Sequence, residues 1–200
     1  MIPKKLKEVI NYLNSQNISI SEEHSDGRIN SVADEKTIIE MLKEKYGSKN
    51  IIEPPARHWW DAKIFGYPTN IKASAFKSAD NFSSKGAVLY SLTNLSEDEI
   101  TSVKSWYDFQ EKVKLGKPID NNRDYYCIVL NKQTNEVLLQ GLKTLTALTS
   151  NGSNLLFQIN WNKNKTIINR THQEAYNFLI GVYKESVRKK VSVHGGYKTL

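Results

Sequence analysis

The stretch WWDAKIFGYPTNIKAS, residues 59–74, decides which fold the sequence favours. It contains two runs of large apolar and β-branched residues, about 58–65 and 69–76, with the turn-forming sequence Gly-Tyr-Pro between them. Runs of this kind on either side of a short turn are typical of an antiparallel β-hairpin. We therefore expect two neighbouring strands of one sheet here, joined by a tight connection.

Three polar side chains interrupt this hairpin. Because side chains alternate along a strand, Asn70 and Lys72 share one face of the second strand and can meet Asp61 of the first. Two oxygen ligands and an ammonium group around one point would suit a hard cation such as Mg²⁺. The spacing D-x8-N-x-K is equally compatible with a solvated hairpin whose Asp61 pairs with Lys63 or Lys72, so both interpretations stay open.

The rest of the chain alternates between helical and strand patterns. Apolar residues at helical spacing predict helices, and short apolar runs bounded by turn residues predict further strands. The predicted helices are 4–14, 34–46, one starting near Ser83, 96–116 with a Ser96/Glu99 capping box, and 170–190; the strands are 124–131, 136–142 and 154–161. This order predicts an α/β fold with a central mixed β-sheet flanked by helices.

Length and composition limit the class of protein. With 200 residues the chain suits one domain, 1–200, and 39% apolar residues are enough for a folded core. No apolar run approaches the ~18 residues of a membrane span, and the N-terminal sequence lacks a signal peptide. The single cysteine, Cys127, excludes an internal disulfide and is expected to be buried. A cytoplasmic protein without membrane contact or a nucleotide cofactor is predicted.

The charge is uneven along the chain. The formal net charge of +7 favours a polyanionic partner such as nucleic acid. Acidic residues are common before residue 50 and around 97–111, whereas 140–200 is clearly basic. We expect a positive surface on this C-terminal third.

In the order of its parts the sequence resembles the PD-(D/E)XK nucleases, and more specifically the type II restriction endonucleases. The acidic helix DEKTIIEMLKEKY (34–46) precedes the hairpin, and the Lys/Ser-rich segment SAFKSADNFSSKGAVLYSLTN (74–94) follows it. The resemblance covers a catalytic core at about 27–95 and leaves about 117–200 for DNA recognition. It implies a restriction-endonuclease-like fold and a sequence-specific double-strand DNA endonuclease, acting as a homodimer with Mg²⁺, for which Mn²⁺ can substitute. The alternatives are a repair or nicking nuclease of the same fold, and a non-catalytic nucleic-acid-binding domain.

The resemblance also assigns roles to the hairpin residues. Asp61 matches the principal metal ligand of the motif, Ile71 would supply a backbone carbonyl to the metal, and Lys72 matches the motif's lysine. The implied reaction is hydrolysis of a phosphodiester by water, with the metal lowering the pKa of that water and Lys72 positioning it.

Two positions depart from the family pattern. No proline precedes Asp61, where the sequence has Trp60. Asn70 stands where the motif usually has Glu or Asp, so one negative charge is lost. The resemblance implies that Glu35 on the preceding helix completes the catalytic and metal site, with Glu40 as the competing choice.

Polar residues after the hairpin and in the basic third are the predicted DNA contacts. Lys and hydroxyl groups suit phosphates, while Asn and Gln can pair with base edges. The predicted residues are Lys77, Ser78, Asn81, Ser83, Ser84, Lys85, Lys143, Thr144, Thr146, Ser150, Asn151, Asn154, Gln158, Asn160, Asn162 and Lys163.

Overall fold

The computed structural model describes residues 2–18, 27–55, 58–115 and 122–195. The chain forms two compact units, each made of two separated segments. The first unit comprises Met1–Phe76 with Tyr125–Gly141, and the second comprises Lys77–Asp124 with Leu142–Leu200. The predicted α/β class is confirmed, since a five-stranded mixed sheet and a three-stranded sheet occur together with helices.

The predicted helices and strands occur in the predicted order, whereas the short strands at 80–82 and 149–150 were not predicted. The α-helices are α1 Lys4–Asn14, α2 Gly27–Tyr46, α3 Lys85–Leu92, α4 Glu97–Thr101, α5 Trp106–Leu115 and α6 His172–Gly195. The strands are β1 Ile51–Ile52, β2 Ala62–Ile64, β3 Tyr67–Ser74, β4 Asp80–Phe82, β5 Tyr126–Asn131, β6 Val137–Gly141, β7 Thr149–Ser150 and β8 Phe157–Ile159.

The first unit is built on the five-stranded sheet, whose strand order is β1-β2-β3-β5-β6. Strands β1, β2 and β3 form an antiparallel meander, β5 is parallel to β3, and β6 returns antiparallel to β5. A parallel pair needs a long crossover, and the chain between β3 and β5 provides it. Apolar side chains of α1 and α2, including Leu6, Leu13 and Leu42, form one core with Ile71 and Ile128 of the sheet.

The connection between β2 and β3 differs from the predicted Gly-Tyr-Pro turn. The two turn residues are Phe65 and Gly66, with φ of 51° and 82°, whereas Tyr67 and Pro68 already belong to β3. Two successive positive φ values are the mark of a type I′ hairpin turn, whose twist matches that of the flanking strands. The turn prediction was therefore wrong by two residues, although the hairpin itself is confirmed.

The second unit contains the three-stranded antiparallel sheet, in the order β4-β8-β7. One face of this sheet is apolar, and on it the rings of Phe82 and Phe157 stack with centroids 5.3 Å apart. The neighbouring Asp80 accepts a hydrogen bond from the indole N–H of the buried Trp161, at 2.6 Å. Side chains at alternate positions, Asn81, Thr149 and Gln158, point to the other face.

Two predicted helices have different bounds in the structure. The helix expected over 96–116 is divided into α4 and α5, because Ser105 starts a second helix: its hydroxyl accepts from the Asp108 N–H and its own N–H donates to Asp108. The Ser96/Glu99 capping box is confirmed at the start of α4. The predicted end at Gly116 lies outside the described residues. Helix α2 begins at residue 27 instead of 34.

The burial of Cys127 is confirmed. Within the described ranges, no helix has a stretch long and apolar enough to cross a membrane.

Candidate functional site

The hairpin brings Asp61 opposite Asn70. The Asp61 N–H donates to the Thr69 carbonyl at 2.9 Å, which extends the β2–β3 pairing by one residue. The buried Thr69 hydroxyl donates to the Ala62 carbonyl at 2.8 Å. These bonds hold the register at the open end of the hairpin, so the carboxylate of Asp61 cannot slide along β3.

The Asp61 carboxylate is hydrogen-bonded on one side only. Its Oδ2 accepts from Asn70 Nδ2 at 2.5 Å and from the Ile71 N–H at 2.9 Å. The predicted approach of Asp61 and Asn70 is thereby confirmed. An ionised carboxylate only accepts hydrogen bonds, so Asn70 must turn its NH₂ group toward Asp61 and its Oδ1 away.

The backbone of Ile71 faces the same place. In a strand, the N–H and C=O of one residue point to the same neighbour. Since the Ile71 N–H reaches Asp61, the Ile71 carbonyl is directed to that side of β3 as well. Asp61 Oδ1 and the Ile71 carbonyl can therefore each present an oxygen at this edge, whereas Asn70 turns its nitrogen, and not its oxygen, toward Asp61.

Burial and hydrogen bonding act in opposite directions on Asp61. Burial of the carboxyl raises its pKa above the ordinary value, while the hydrogen bonds from Ile71 and Asn70 and the charge of Lys72 lower it. Lys72 is half-buried and two residues beyond Asn70 on β3, so both side chains lie on one face of the strand. These three neighbours stabilise the ionised carboxylate of Asp61 and offset part of the cost of its burial, which remains the larger effect on the pKa.

Tyr125 is a neighbour of this site that the sequence analysis did not identify. Its hydroxyl donates to the carbonyl of Trp59 at 3.2 Å, and Trp59 lies two residues before Asp61 in the sequence. Burial foremost, and then the charge of Asp61, raises the pKa of Tyr125 well above its ordinary value. The phenol therefore stays neutral and keeps its proton for the hydrogen bond. No local pattern separates Tyr125 from an ordinary strand tyrosine.

The buried acid of α2 is Asp34, which the sequence analysis also passed over. Asp34 is 2% exposed and forms an ion pair with Lys132 at 2.7 Å. Its spacing from Ile38 and Leu42, four and eight residues later, would have placed it on the inward stripe.

The two predicted acids of α2 lie elsewhere on the helix. Glu40 is exposed and pairs with Lys36 at 3.8 Å, and Glu35 is half-buried. In the part of the chain that the structure describes, no three His, Cys, Asp or Glu side chains come close enough to hold a metal ion. The role of Glu35 as a completing ligand stays a prediction.

The donor set at the hairpin still fits a hard cation. Asp61 Oδ1 and the Ile71 carbonyl are oxygen ligands, which Mg²⁺ prefers over the nitrogen and sulfur ligands of softer metals. Only one of them carries charge, so water and substrate phosphate would supply the remaining ligands.

All sixteen predicted DNA contacts belong to the second unit. Some of them have structural roles: Ser84 caps α3, Asn160 caps a 3₁₀ turn, and Thr144 is buried. The Thr146 hydroxyl donates to the Thr166 carbonyl, and the Lys85 ammonium lies 4.5 Å from the centre of the Trp106 ring. Others are exposed: Lys77, Ser78, Asn81, Ser83, Asn154, Asn162 and Lys163.

Three of the predicted contacts form one hydrogen-bonded cluster. Asn81 Oδ1 accepts from Asn151 Nδ2 at 2.8 Å and from Gln158 Nε2 at 3.1 Å. Asn81 and Gln158 are direct partners in the β4–β8 register. We call Asn81, Gln158 and Asn151 the amide cluster.

Neither family models nor curated proteins match the sequence, and no solved structure matches the fold.

Proposed function

We propose that this protein is a Mg²⁺-dependent, sequence-specific endonuclease that hydrolyses phosphodiester bonds in double-stranded DNA, as in restriction-modification. The observation that carries the proposal is the convergence of Asp61, Asn70 and Ile71 at the open end of the hairpin, with Lys72 on the same strand. The resemblance of the motif to PD-(D/E)XK nucleases gives this geometry its chemical interpretation.

In this proposal the hairpin would hold the cation through Asp61 Oδ1 and the Ile71 carbonyl, while Asn70 Nδ2 orients the Asp61 carboxylate. When bound, Mg²⁺ would acidify the attacking water and offset negative charge on the scissile phosphate. The hydrogen bonds from Asn70 and Ile71 keep Asp61 ionised and oriented. Lys72 orients the attacking water and stabilises the charge that develops on the phosphate oxygens.

The second unit would hold the duplex. Residues 142–173 contain Lys143, Lys163, Lys165 and Arg170 and no acidic side chain. Such a segment attracts the phosphate backbone independently of sequence. A homodimer with one centre per subunit would cut both strands of a palindromic site.

The test is plasmid cleavage by the full-length protein with Mg²⁺. We expect discrete fragments, and loss of cleavage of at least about a hundredfold in Asp61→Ala and in Lys72→Ala. Lys63→Ala is the matched control, since Lys63 precedes the turn and its ammonium lies 5.1 Å from the Trp60 ring centre. Binding without cleavage under every divalent metal would overturn the proposal.

A second candidate is a nucleic-acid-binding domain without catalysis, in which Asp61 only secures the hairpin. The lack of a three-carboxylate group among the described residues favours it. Random nicking instead of discrete fragments would favour a repair or nicking nuclease.

A further inference from the structure

The amide cluster presents a fixed pattern of donors and acceptors on the exposed face of the three-stranded sheet. Asn81 is exposed and Gln158 is half-buried, and the apolar side chains of the same strands lie on the opposite face. A polar face of this kind needs no internal partner, so its hydrogen-bonding groups can meet a ligand.

The orientation of each amide follows from the backbone. The N–H groups of Ser153 and Asn154 both donate to Asn151 Oδ1, at 3.1 Å each. A backbone N–H can only donate, so Asn151 must turn its oxygen to them and its nitrogen to Asn81. Asn81 then has to present its oxygen to Asn151, and that same oxygen accepts from Gln158.

This chain of bonds leaves two groups for a ligand. The Nδ2 of Asn81 is a donor, and the Oε1 of Gln158 is an acceptor; neither atom takes part in the cluster's own hydrogen bonds. If Asn81 exchanged its oxygen and nitrogen, it would lose the hydrogen bonds from Asn151 and Gln158. If Gln158 did so, it would lose its hydrogen bond to Asn81.

We propose that Asn81 and Gln158 together read adenine in the major groove of duplex DNA, with Asn151 as the residue that positions them. The major-groove edge of adenine offers the N7 acceptor and the N6 amino donor, which complement the Asn81 donor and the Gln158 acceptor. Guanine offers two acceptors at this edge, so it would oppose the Gln158 oxygen. The proposal rests on the proposed function, since it assigns the specificity of that enzyme.

The surroundings favour DNA as the occupant. The face is a sheet of short antiparallel strands, and the major groove admits a two-stranded β-ribbon. Lys163 and Lys165 follow β8 directly, while Asp80 on β4 is bonded to Trp161 on the other face. The deep, narrow major groove of an RNA duplex would not admit such a face.

The decisive variant is Asn81→Asp. It keeps an oxygen for Asn151 and Gln158 and changes only the outward group from a donor to an acceptor, which repels adenine N7. Asn177→Asp is the matched control, because it adds the same charge at an exposed position of the same unit and its side chain, which accepts from Gln173, lies outside the cluster.

The experiment selects bound duplexes from a random library with full-length Lys72→Ala protein, which keeps cleavage from destroying the sites. We expect a site that contains adenine, and a loss of about tenfold in the preference for adenine at one position in Asn81→Asp. Asn177→Asp should change binding equally across all sequences. Replacing that adenine by 7-deazaadenine, which lacks N7, should weaken binding of the Lys72→Ala protein about tenfold. The same replacement should not weaken binding of the Lys72→Ala protein that also carries Asn81→Asp, because the repulsion between the new carboxylate and N7 is then absent.

Adenine reading by Asn81 and Gln158 and the sequence-specific nuclease activity are overturned by different results. A specific site whose base preferences are the same in Asn81→Asp and Asn177→Asp would overturn adenine reading and leave the nuclease proposal standing. A protein that selects no sequence above background would overturn the proposed specific nuclease, and adenine reading with it.

Discussion

The Asp61 site and the amide cluster are both built from side chains on neighbouring strands, yet they solve different physical problems. The Asp61 carboxylate is charged although it is partly buried. Burial raises its pKa, and the hydrogen bonds that Ile71 and Asn70 donate to it lower that pKa. In the amide cluster no group is charged, and the orientation of each amide follows from backbone N–H groups. A site that binds a cation needs retained charge, whereas a face that discriminates between bases needs donors and acceptors in fixed positions.

The largest expected effect comes from removing the platform beneath the amide cluster. Phe157→Ala deletes a fully buried ring that stacks on Phe82, and we expect a loss of about 3–5 kcal/mol in the free energy of unfolding. Urea unfolding measures this loss, and base preference should disappear with it. Phe157→Leu also removes the ring but leaves a smaller cavity, so it should cost less; equal costs would mean that loss of the ring itself, and not the volume of the cavity, sets the destabilisation.

Asp61→Asn separates charge from hydrogen bonding. The variant keeps an oxygen for Asn70 and Ile71 but cannot hold a cation by charge, so cleavage should fall at least about a hundredfold. Mg²⁺ should raise the melting temperature of the wild type and leave that of the variant unchanged.

The same variant has a predicted pH dependence. Because burial raises the pKa of Asp61 in the folded state, the ionised carboxylate opposes folding above the unfolded-state pKa, and this penalty is complete above the raised pKa. Asp61→Asn should therefore melt at a higher temperature than the wild type at pH 7. The difference should shrink as the pH falls from the raised pKa toward about 4, and it should be absent below about 4, where Asp61 is protonated in both states. A wild type that is more stable than the variant at pH 7 would contradict this sign.

Asn151→Ala tests whether the cluster is held in place from the backbone. The buried Asn151 accepts two backbone N–H groups and donates to Asn81, so its loss should cost about 1–3 kcal/mol. Preference for adenine should weaken, since Asn81 can then rotate. Asn154→Ala in the same loop is exposed and should change stability by less than about 0.5 kcal/mol. Similar losses in both variants would argue against a specific role of Asn151.

The smallest effect is expected at the hairpin turn that positions Asp61. Gly66 has a φ of 82°, and a Cβ there would meet no atom within 4 Å, so Gly66→Ala should cost about 1–2 kcal/mol through backbone strain alone. Gly66→Asn should cost less, because Asn tolerates positive φ. Thermal unfolding of the two variants measures the difference, and a destabilisation by Asn as large as that by Ala would rule out the backbone explanation.

Local patterns predicted much of the fold. Helical spacing placed α1 correctly, and the Ser96/Glu99 pattern identified the start of α4, because both depend on residues within one or two turns. The break before α5 was missed although Ser105 and Asp108 form a second cap, since the apolar spacing runs through it. On α2, the buried acid is Asp34 and not Glu35 or Glu40. Its partner, Lys132, is distant in sequence, so no local pattern predicts the pair.

Local sequence alone was enough to place Asp61 across from Asn70, with Lys72 two residues further along the strand, because a hairpin is a short-range structure with a fixed alternation of side chains. The tertiary structure decided which atoms of those groups face one another and brought Tyr125 beside them. It alone brought Asn81 to Asn151 and Gln158, which are 70 and 77 positions away. Contacts between such distant segments depend on how strands pair and which backbone groups they leave unbonded, and short-range patterns carry no information about that pairing.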